Sequence, residues 1–581
     1  MQRDDIFPET ELPRGSDLLS QGAALAGTWM VGRCAFLQHY GVKSEFDYKC
    51  QSMDEGRIMQ HAQVGFRDVD KSRTAYSEIW ERCDKRGVRV DRYGLCLDWS
   101  MAVPRDQRAK ATKGTGMILT DPETCIALTS SAPVAPHFGD FVLGFPAALE
   151  NTQMVLAAGC TSIGNFGQYF TFKVPNWDDD VETTKATVEA LGLIVAQPVP
   201  ILVHSNIDDG FAAQFTDLTS SLGMMEIEKY IIENLIGGKM SHCFGHHFSD
   251  PLARLAFQSA MGSLTDTPGT MIYGNTTAYR GTPAENYASL ARYLSIDALG
   301  QALKPTGHAI NAVPVTENER IPDIEEIVDA QLFSGRTIEL HKSLVPLIDL
   351  DEVGKITNQL VAGAKQFSGN VMKGLMNAGV DTSDAFEMML SLRRIGARKL
   401  ELLYGVGKED NSQIGGRKPV VAGSVLEEIS EMADAAMEGS SGRSANAVRT
   451  KKLKVLVATT DVHEHGKLLI EELLRRVGVE IIDGGVSTDP DKLAECANLE
   501  RPDAIAVSTY NGVALSYYTK TKASMAEFGL DIPLLIGGRL NQIPEGSNTS
   551  LPVDVGDELA QEGAIVCRDA AELLSRLEAV C

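Results

Sequence analysis

The sequence predicts an α/β protein of two main parts: a (β/α)8 TIM-like barrel followed by a helical segment, and a C-terminal flavodoxin-like (Rossmann-type) sheet. Three observations carry the prediction. Apolar strand-like runs alternate with helical stretches from residue 56 to 345, the repeat of a barrel built from βα units. A polar, small-residue stretch, Gly439 to Asn446, then interrupts the chain as a tether would. Residues 451–581 alternate strand and helix cleanly, the pattern of a doubly wound parallel sheet. At 581 residues the chain is too long for one core, which agrees with this division.

In chain order, residues 1–55 are mixed in character and read as an extension that wraps the next domain. Within 56–345, Met154–Ala157, Ile201–His204 and Gly269–Tyr273 read as strands, and Val181–Leu193, Met224–Ile236 and Ala284–Leu294 as helices. The acidic run Asp178-Asp179-Asp180 reads as a helix N-terminal cluster that complements the macrodipole. Residues 346–405 read as helices, with Leu360, Ala364, Phe367 and Val371 at helical spacing. Residues 406–450 read as a linker. In the last domain the strand-like runs are 453–458, 479–482, 504–508, 533–536 and 564–566.

A net charge of −24 argues against nucleic acid or an anionic membrane as partner. No run of about 18 apolar residues suggests a transmembrane helix. The opening residues are too polar and acidic for a secretory signal. Ten cysteines without a C-x-x-C pair suggest neither a disulfide framework nor a zinc ribbon. These features lead to the expectation of a reduced, cytoplasmic protein.

The richest motif is Asp461-Val462-His463-Glu464-His465-Gly466. It lies between an apolar strand, Lys454–Ala458, and a helix, Gly466–Val477. A D-x-H-x-x-G pattern at such a turn puts an imidazole at the C-terminal edge of a parallel sheet, where open α/β folds bind ligands. The carboxylate two residues earlier can accept the second imidazole N–H and so raise the basicity of a metal-binding nitrogen. Three more turns follow strand ends: Asp483–Ser487, Val507–Gly512 and Leu535–Arg539, the last with two glycines that permit close backbone approach.

On these residues the domain resembles the cobalamin-binding domain shared by adenosylcobalamin mutases and corrinoid methyltransferases. The resemblance implies that His463 is the lower axial ligand of cobalt and Asp461 its hydrogen-bonding partner. It also implies that Gly466 lets the chain pass the corrin and that Ser508, Gly537 and Gly538 line the nucleotide slot. His465 is expected to be structural. Val566-Cys567-Arg568 stands where the family often has a threonine.

The barrel region resembles the large subunit of the glutamate mutase (methylaspartate mutase) family. Gly144-Phe145-Pro146, Thr161–Asn165, Val174-Pro175, Cys243-Phe244-Gly245 and Thr306-Gly307-His308 with Pro314 carry that resemblance. It implies a barrel capped by adenosylcobalamin, a radical carbon-skeleton mutase acting on a small carboxylic acid, and a homodimer. Arg92 matches the first arginine of the family's carboxylate cluster. Val142-Leu143 occupies the place of another, Phe166 falls near the family's acidic residue, and Phe172 takes a tyrosine position. These departures point to a substrate other than glutamate, with less charge.

Arg92, Asn165, His246 and His308 are the candidate catalytic residues; His204, His247, Asn275, Arg280 and Lys304 are further polar groups near strand ends. Two other functions compete with a mutase. One is a corrinoid methyltransferase, favoured by Met372, Met376, Met388 and Met389 in the helical segment. The other is a non-catalytic cobalamin sensor or carrier.

Overall fold

The structure, a computed structural model, describes residues 1–108, 111, 116–171, 174, 177–208, 215–245, 250–274, 279, 281–317, 320–439, 442–460, 464–510, 512–543 and 552–580. Its contacts divide the chain into two compact units, one within residues 1–423 and one carried by residues 424–581.

Among the described residues the first unit contains eight parallel strands: β1 (Met59–Val64), β2 (Arg92–Leu95), β3 (Ala135–Phe138), β4 (Ser162–Ile163), β5 (Leu202–Asp208), β6 (Lys239–Phe244), β7 (Met271–Ile272) and β8 (Ala309–Asn311). They form two four-stranded sheets, ordered β3-β2-β1-β8 and β4-β5-β6-β7. The edges of one sheet lie beside those of the other, β3 by β4 and β7 by β8. Each strand leads to a helix: Val69–Asp84, Pro122–Thr129, Ala148–Ala157, Asp180–Val195, Leu218–Lys229, Pro251–Leu264, Pro283–Leu303 and Ile324–Leu340.

The helix starts are encoded locally. Asp68, Asp121, Asp179, Asp217, Asp250, Thr282 and Asp323 each stand at an N-cap, and each side chain accepts from a backbone N–H of the first turn. Proline follows the cap at 122, 251 and 283, where its missing N–H costs nothing. The acidic run therefore acts at a helix start, with Asp179 capping and Asp180 paired to Arg394.

Outside this set, the helix Gly15–Ala24 packs on Asp180–Val195, and a methyl on Gly22 would lie 1.9 Å from the Glu189 carbonyl oxygen. The helix Leu350–Asn377 turns Leu360, Ala364, Phe367 and Val371 into the core and packs against Leu218–Lys229. Met388 and Met389 are buried core residues of the helix Ala385–Ile395.

The second unit holds β9 (Lys454–Thr459), β10 (Glu480–Asp483), β11 (Ala504–Thr509), β12 (Leu534–Gly538), a hairpin of β13 (Asn541–Gln542) and β14 (Val553–Asp554), and β15 (Ile565–Cys567). The parallel sheet runs β10-β9-β11-β12-β15, the flavodoxin-like order with its switch point between β9 and β11.

Two expectations are corrected. Met154–Ala157 is the last turn of the helix Ala148–Ala157; its apolar residues are buried by the core, and a short apolar run does not reveal its period. The stretch read as a linker is largely helical from Ser424 onward, as Ser424–Gly439 and Gly442–Lys451. Ala433, Ala436, Ala445 and Val448 on these helices join the core of the second unit, so the small residues permit close packing there. No helix among the described residues is long and apolar enough to cross a membrane.

Candidate functional site

At the C-terminal edge of the second unit the two central strands carry hydroxyl residues at their ends. Ser508 on β11 stands in register with Thr459 on β9 and with Gly537 on β12. The Thr460 N–H, one residue before the D-x-H-x-x-G turn, donates to the Ser508 carbonyl at 3.0 Å. Asp461, Val462 and His463 lie outside the described residues, and with them the expected cobalt ligand. The chain is described again from Glu464, and the helix begins at His465.

Gly466, on the first turn of that helix, is held against Ser508: a methyl there would sit 2.1 Å from Ser508 Oγ. Gly538 has φ +93 and faces Thr509, whose carbonyl oxygen would lie 2.4 Å from a methyl at 538. Any side chain at either glycine would displace its neighbour. Gly466, Ser508, Gly537 and Gly538 are thus brought together as an edge with little side chain over the switch point. Such an edge fits the close approach of a broad, flat group, so the residues present suit a corrin and its tail.

The loop after β10 is pinned to the same place. Ser487 N–H donates to Thr459 Oγ1 at 3.1 Å, and Gly484 N–H to the Val457 carbonyl at 2.8 Å. Asp483 Oδ1 accepts from Gly485 N–H at 2.9 Å and pairs with Lys467 at 2.9 Å. Lys467 is fully buried and also pairs with Glu471. Sequence reasoning missed Thr459, Thr509 and Lys467. The hydroxyls at adjacent strand ends were the available signal; Thr509 Oγ1 is buried with no partner among the described residues.

The first unit has an unusual inner face. His61, Arg92, His137 and His204, from β1, β2, β3 and β5, meet one another where parallel strands buried by helices usually carry Val, Ile and Leu. Arg92 Nη1 lies 3.4 Å from His61 Nδ1, and the His137 and His204 rings are 4.9 Å apart, edge to face. Glycine makes the room: methyls on Gly94, Gly139 and Gly164 would strike Gln63, His137 and the His204 carbonyl. Burial, with Arg92 next in order for His61 and second to the neighbouring His137 for His204, holds these imidazoles well below their usual range, so they are neutral.

Arg92 opens β2 and so sits at the N-terminal edge, where Nε donates to Glu45 Oε1 at 3.0 Å. Lys49, on the same helix as Glu45, lies 3.3 Å from that oxygen. This position places Arg92 at the opposite end of its strand from the C-terminal edge of the unit. His308 precedes β8 and is likewise at the N-terminal edge, fully enclosed, with neither ring nitrogen partnered among the described residues. Lys304 caps the end of the helix Pro283–Leu303 and donates to Ser263 Oγ at 2.7 Å, a surface role. His246, His247, Asn275, Arg280 and Phe172 lie outside the described residues. Phe166 is a buried core residue.

Asn165 does stand at the C-terminal edge, two residues beyond β4, where Nδ2 donates to Asp140 Oδ1 at 2.7 Å. Gln168 Nε2 donates to the same oxygen at 3.2 Å. Further round the rim, Gln63 Oε1 accepts from Tyr273 Oη at 3.1 Å and Gln63 Nε2 lies 2.9 Å from Cys96 Sγ. Among the described residues the cation nearest these groups is the buried Arg254, whose Nη2 donates to the Tyr273 carbonyl at 2.9 Å while Nε pairs with Asp297 at 2.6 Å. Burial and then Asp140 push the Cys96 thiol up to about 12, so it is not a thiolate at neutral pH.

Residues 451–558 match the family description "B12 binding domain". The 1.5 Angstrom crystal structure of a novel cobalamin-binding protein from Desulfitobacterium hafniense DCB-2 is similar at 18% identity and a TM-score of 0.21, over 38% of this chain and 97% of its own. The chain carries a B12 binding domain at its C-terminal end, over the strands whose edge glycines and hydroxyls have just been described.

Proposed function

We propose that this chain is an adenosylcobalamin-dependent radical carbon-skeleton mutase, an isomerase acting on a small carboxylic acid, with its eight parallel strands closing as a (β/α)8 barrel. The observation that carries the proposal is the joining of a B12 binding domain to parallel strand–helix units whose described C-terminal rim is polar. A carrier or sensor would have no use for such a rim.

His463 and Asp461 would hold the cobalt side of the cofactor, and Gly466, Ser508, Gly537 and Gly538 would take its corrin and tail. When bound, adenosylcobalamin supplies hydrogen-atom abstraction through homolysis of its Co–C bond. The protein's own work is to bind, orient and exclude water. Of the rim amides, Asn165 keeps its Oδ1 for a polar group of a substrate, while Gln63 and Gln168 are held by their neighbours and shape the rim. The homodimer and cytoplasmic setting belong to the same proposal. So does the choice of a substrate less charged than glutamate, since Arg92 is already paired with Glu45.

Paramagnetic resonance tests the proposal. The full chain is loaded with adenosylcobalamin or, separately, methylcobalamin, and mixed with candidate acids. A signal of low-spin cobalt coupled to an organic radical, obtained only with the adenosyl form, is the expected result. Methyl transfer without a radical would overturn it. Independently, His463→Ala should remove the nitrogen hyperfine coupling to cobalt.

A further inference from the structure

The carboxylate of Asp140 is built into the first unit in a way that helix capping and surface solvation do not explain. It follows β3 by two residues, at the C-terminal rim. One oxygen, Oδ1, is fixed by two amide donors, Asn165 Nδ2 at 2.7 Å and Gln168 Nε2 at 3.2 Å. The orientation of Gln168 is itself set, because its Oε1 accepts from Phe141 N–H at 3.1 Å. The other oxygen of Asp140 makes no hydrogen bond to any described residue. Beside it, Asn165 is 2% exposed and its Oδ1 has no partner among the described residues. Gly139 keeps the space clear, since a methyl there would lie 2.8 Å from His137 Nε2.

A half-buried carboxylate with one oxygen clamped and the other unused is a preorganised acceptor. Burial pushes its acidity down, and the two amides act against that by stabilising the charged form. The other carboxylate on this side, Glu317 beyond β8, acts on Cys96 and Tyr273 but is solvent-exposed and has no amide clamp among the described residues. The thiol of Cys96 is protonated, and Gln63 is occupied by Tyr273 and Cys96.

We infer that Asp140 is a substrate-specificity residue, its free oxygen accepting a hydrogen bond from a hydroxyl or amine N–H carried by the substrate. The inference rests on the proposed binding of a small acid at this rim and gives that acid a chemical class: one that bears a hydrogen-bond donor besides its carboxyl group. A charged oxygen discriminates strongly here, because a substrate lacking the donor leaves the carboxylate desolvated and unpaired.

Calorimetric titration of the full chain loaded with hydroxocobalamin tests it. The probes are two matched sets: glutarate with 2-hydroxyglutarate, glutamate and 2-oxoglutarate, and butyrate with 3-hydroxybutyrate and 2-aminobutyrate. In at least one set the hydroxy or amino member should bind about tenfold or more tightly than its parent acid. In Asp140→Asn the amide oxygen takes the place clamped by Asn165 and Gln168, so the NH2 faces the rim. The hydroxy and amino preference should vanish, and within the glutarate set the oxo acid should gain. Asn165→Ala, which loosens the clamp but keeps the carboxylate, should weaken the preference severalfold. Equal affinities within both sets, no saturable binding by any probe, or a preference unchanged in Asp140→Asn would each overturn the inference. Hydroxocobalamin forms no radical, so a missing radical signal leaves this result standing, and loss of the preference leaves the cofactor proposal standing.

Discussion

Arg92 Nε and Glu45 Oε1 meet at 3.0 Å beneath the strands of the first unit, with neither side chain more than 4% exposed. Lys49 lies 3.3 Å from the same oxygen, so one buried carboxylate serves two buried cations. Removing one member of such a pair costs about 3–5 kcal/mol, because the remaining charge is left without water or partner. Glu45→Ala is therefore expected to destabilise the first unit by about that amount, read as a lower denaturant midpoint. Arg92→Ala should act in the same direction, as a structural residue does. An unchanged midpoint for both variants would show that the pair is not formed.

His308 gives a pH dependence of known sign. Burial and then Lys49 hold its folded-state pKa well below the usual value. Below the unfolded pKa of about 6.5 the unfolded chain binds a proton that the folded chain does not, so stability falls as pH falls. Between pH 6 and 5 one such histidine removes about 1.2 kcal/mol. In His308→Gln the loss of stability over that interval should shrink by about the same amount, measured by unfolding at both pH values. A variant with the parent's pH slope would refute the buried neutral assignment.

Gly466→Ala should expel cobalamin without unfolding the chain. The new methyl would meet Ser508 Oγ at 2.1 Å, while Ser508 Cβ stands at 3.2 Å and needs only a small shift. Cobalamin affinity, followed by absorbance titration, should fall about tenfold or more. Adding Ser508→Ala should recover most of it, because the clashing oxygen is gone. If the double variant binds no better than the single one, the steric account of this edge fails.

The helices Ser424–Gly439 and Gly442–Lys451 should be required by the C-terminal unit. Ala433, Ala436, Ala445 and Val448 are part of its core, and Arg476 reaches back to Asp434 at 2.5 Å and to Ser430 Oγ at 3.0 Å. A fragment of residues 424–581 should unfold cooperatively. One beginning at 451 should lose about 2–4 kcal/mol of stability and bind a hydrophobic dye. Equal stability of the two fragments would restore the linker.

Much of the fold was legible because its signals are local. The strands of the second unit were placed to within about two residues, since each is an apolar run closed by glycine, proline or aspartate. Leu360, Ala364, Phe367 and Val371 declared a helix face by spacing alone, and all four are fully buried. Met154–Ala157 and the Gly439–Asn446 stretch misled for a shared reason. Composition reports which residues are apolar or small, while their surroundings decide whether that means strand or helix, tether or close packing.

The sequence by itself pointed to the cofactor class, because D-x-H-x-x-G and Gly537-Gly538 are each short contiguous motifs that carry the resemblance to cobalamin-binding domains. It also determined the alternation of strand and helix from which the sheets are built. Only the tertiary structure decided which polar residues share an edge. Arg92 and His308 lie at the start of β2 and just before β8, and because these strands run toward the rim in parallel with their neighbours, both residues stand at the end away from it. Asp140, Asn165 and Gln168 come from turns after two neighbouring strands and become one acceptor only when β3 and β4 lie side by side. Hydrogen bonds act over about 3 Å in space whatever the separation in sequence, and a single chain read in one dimension does not contain that distance.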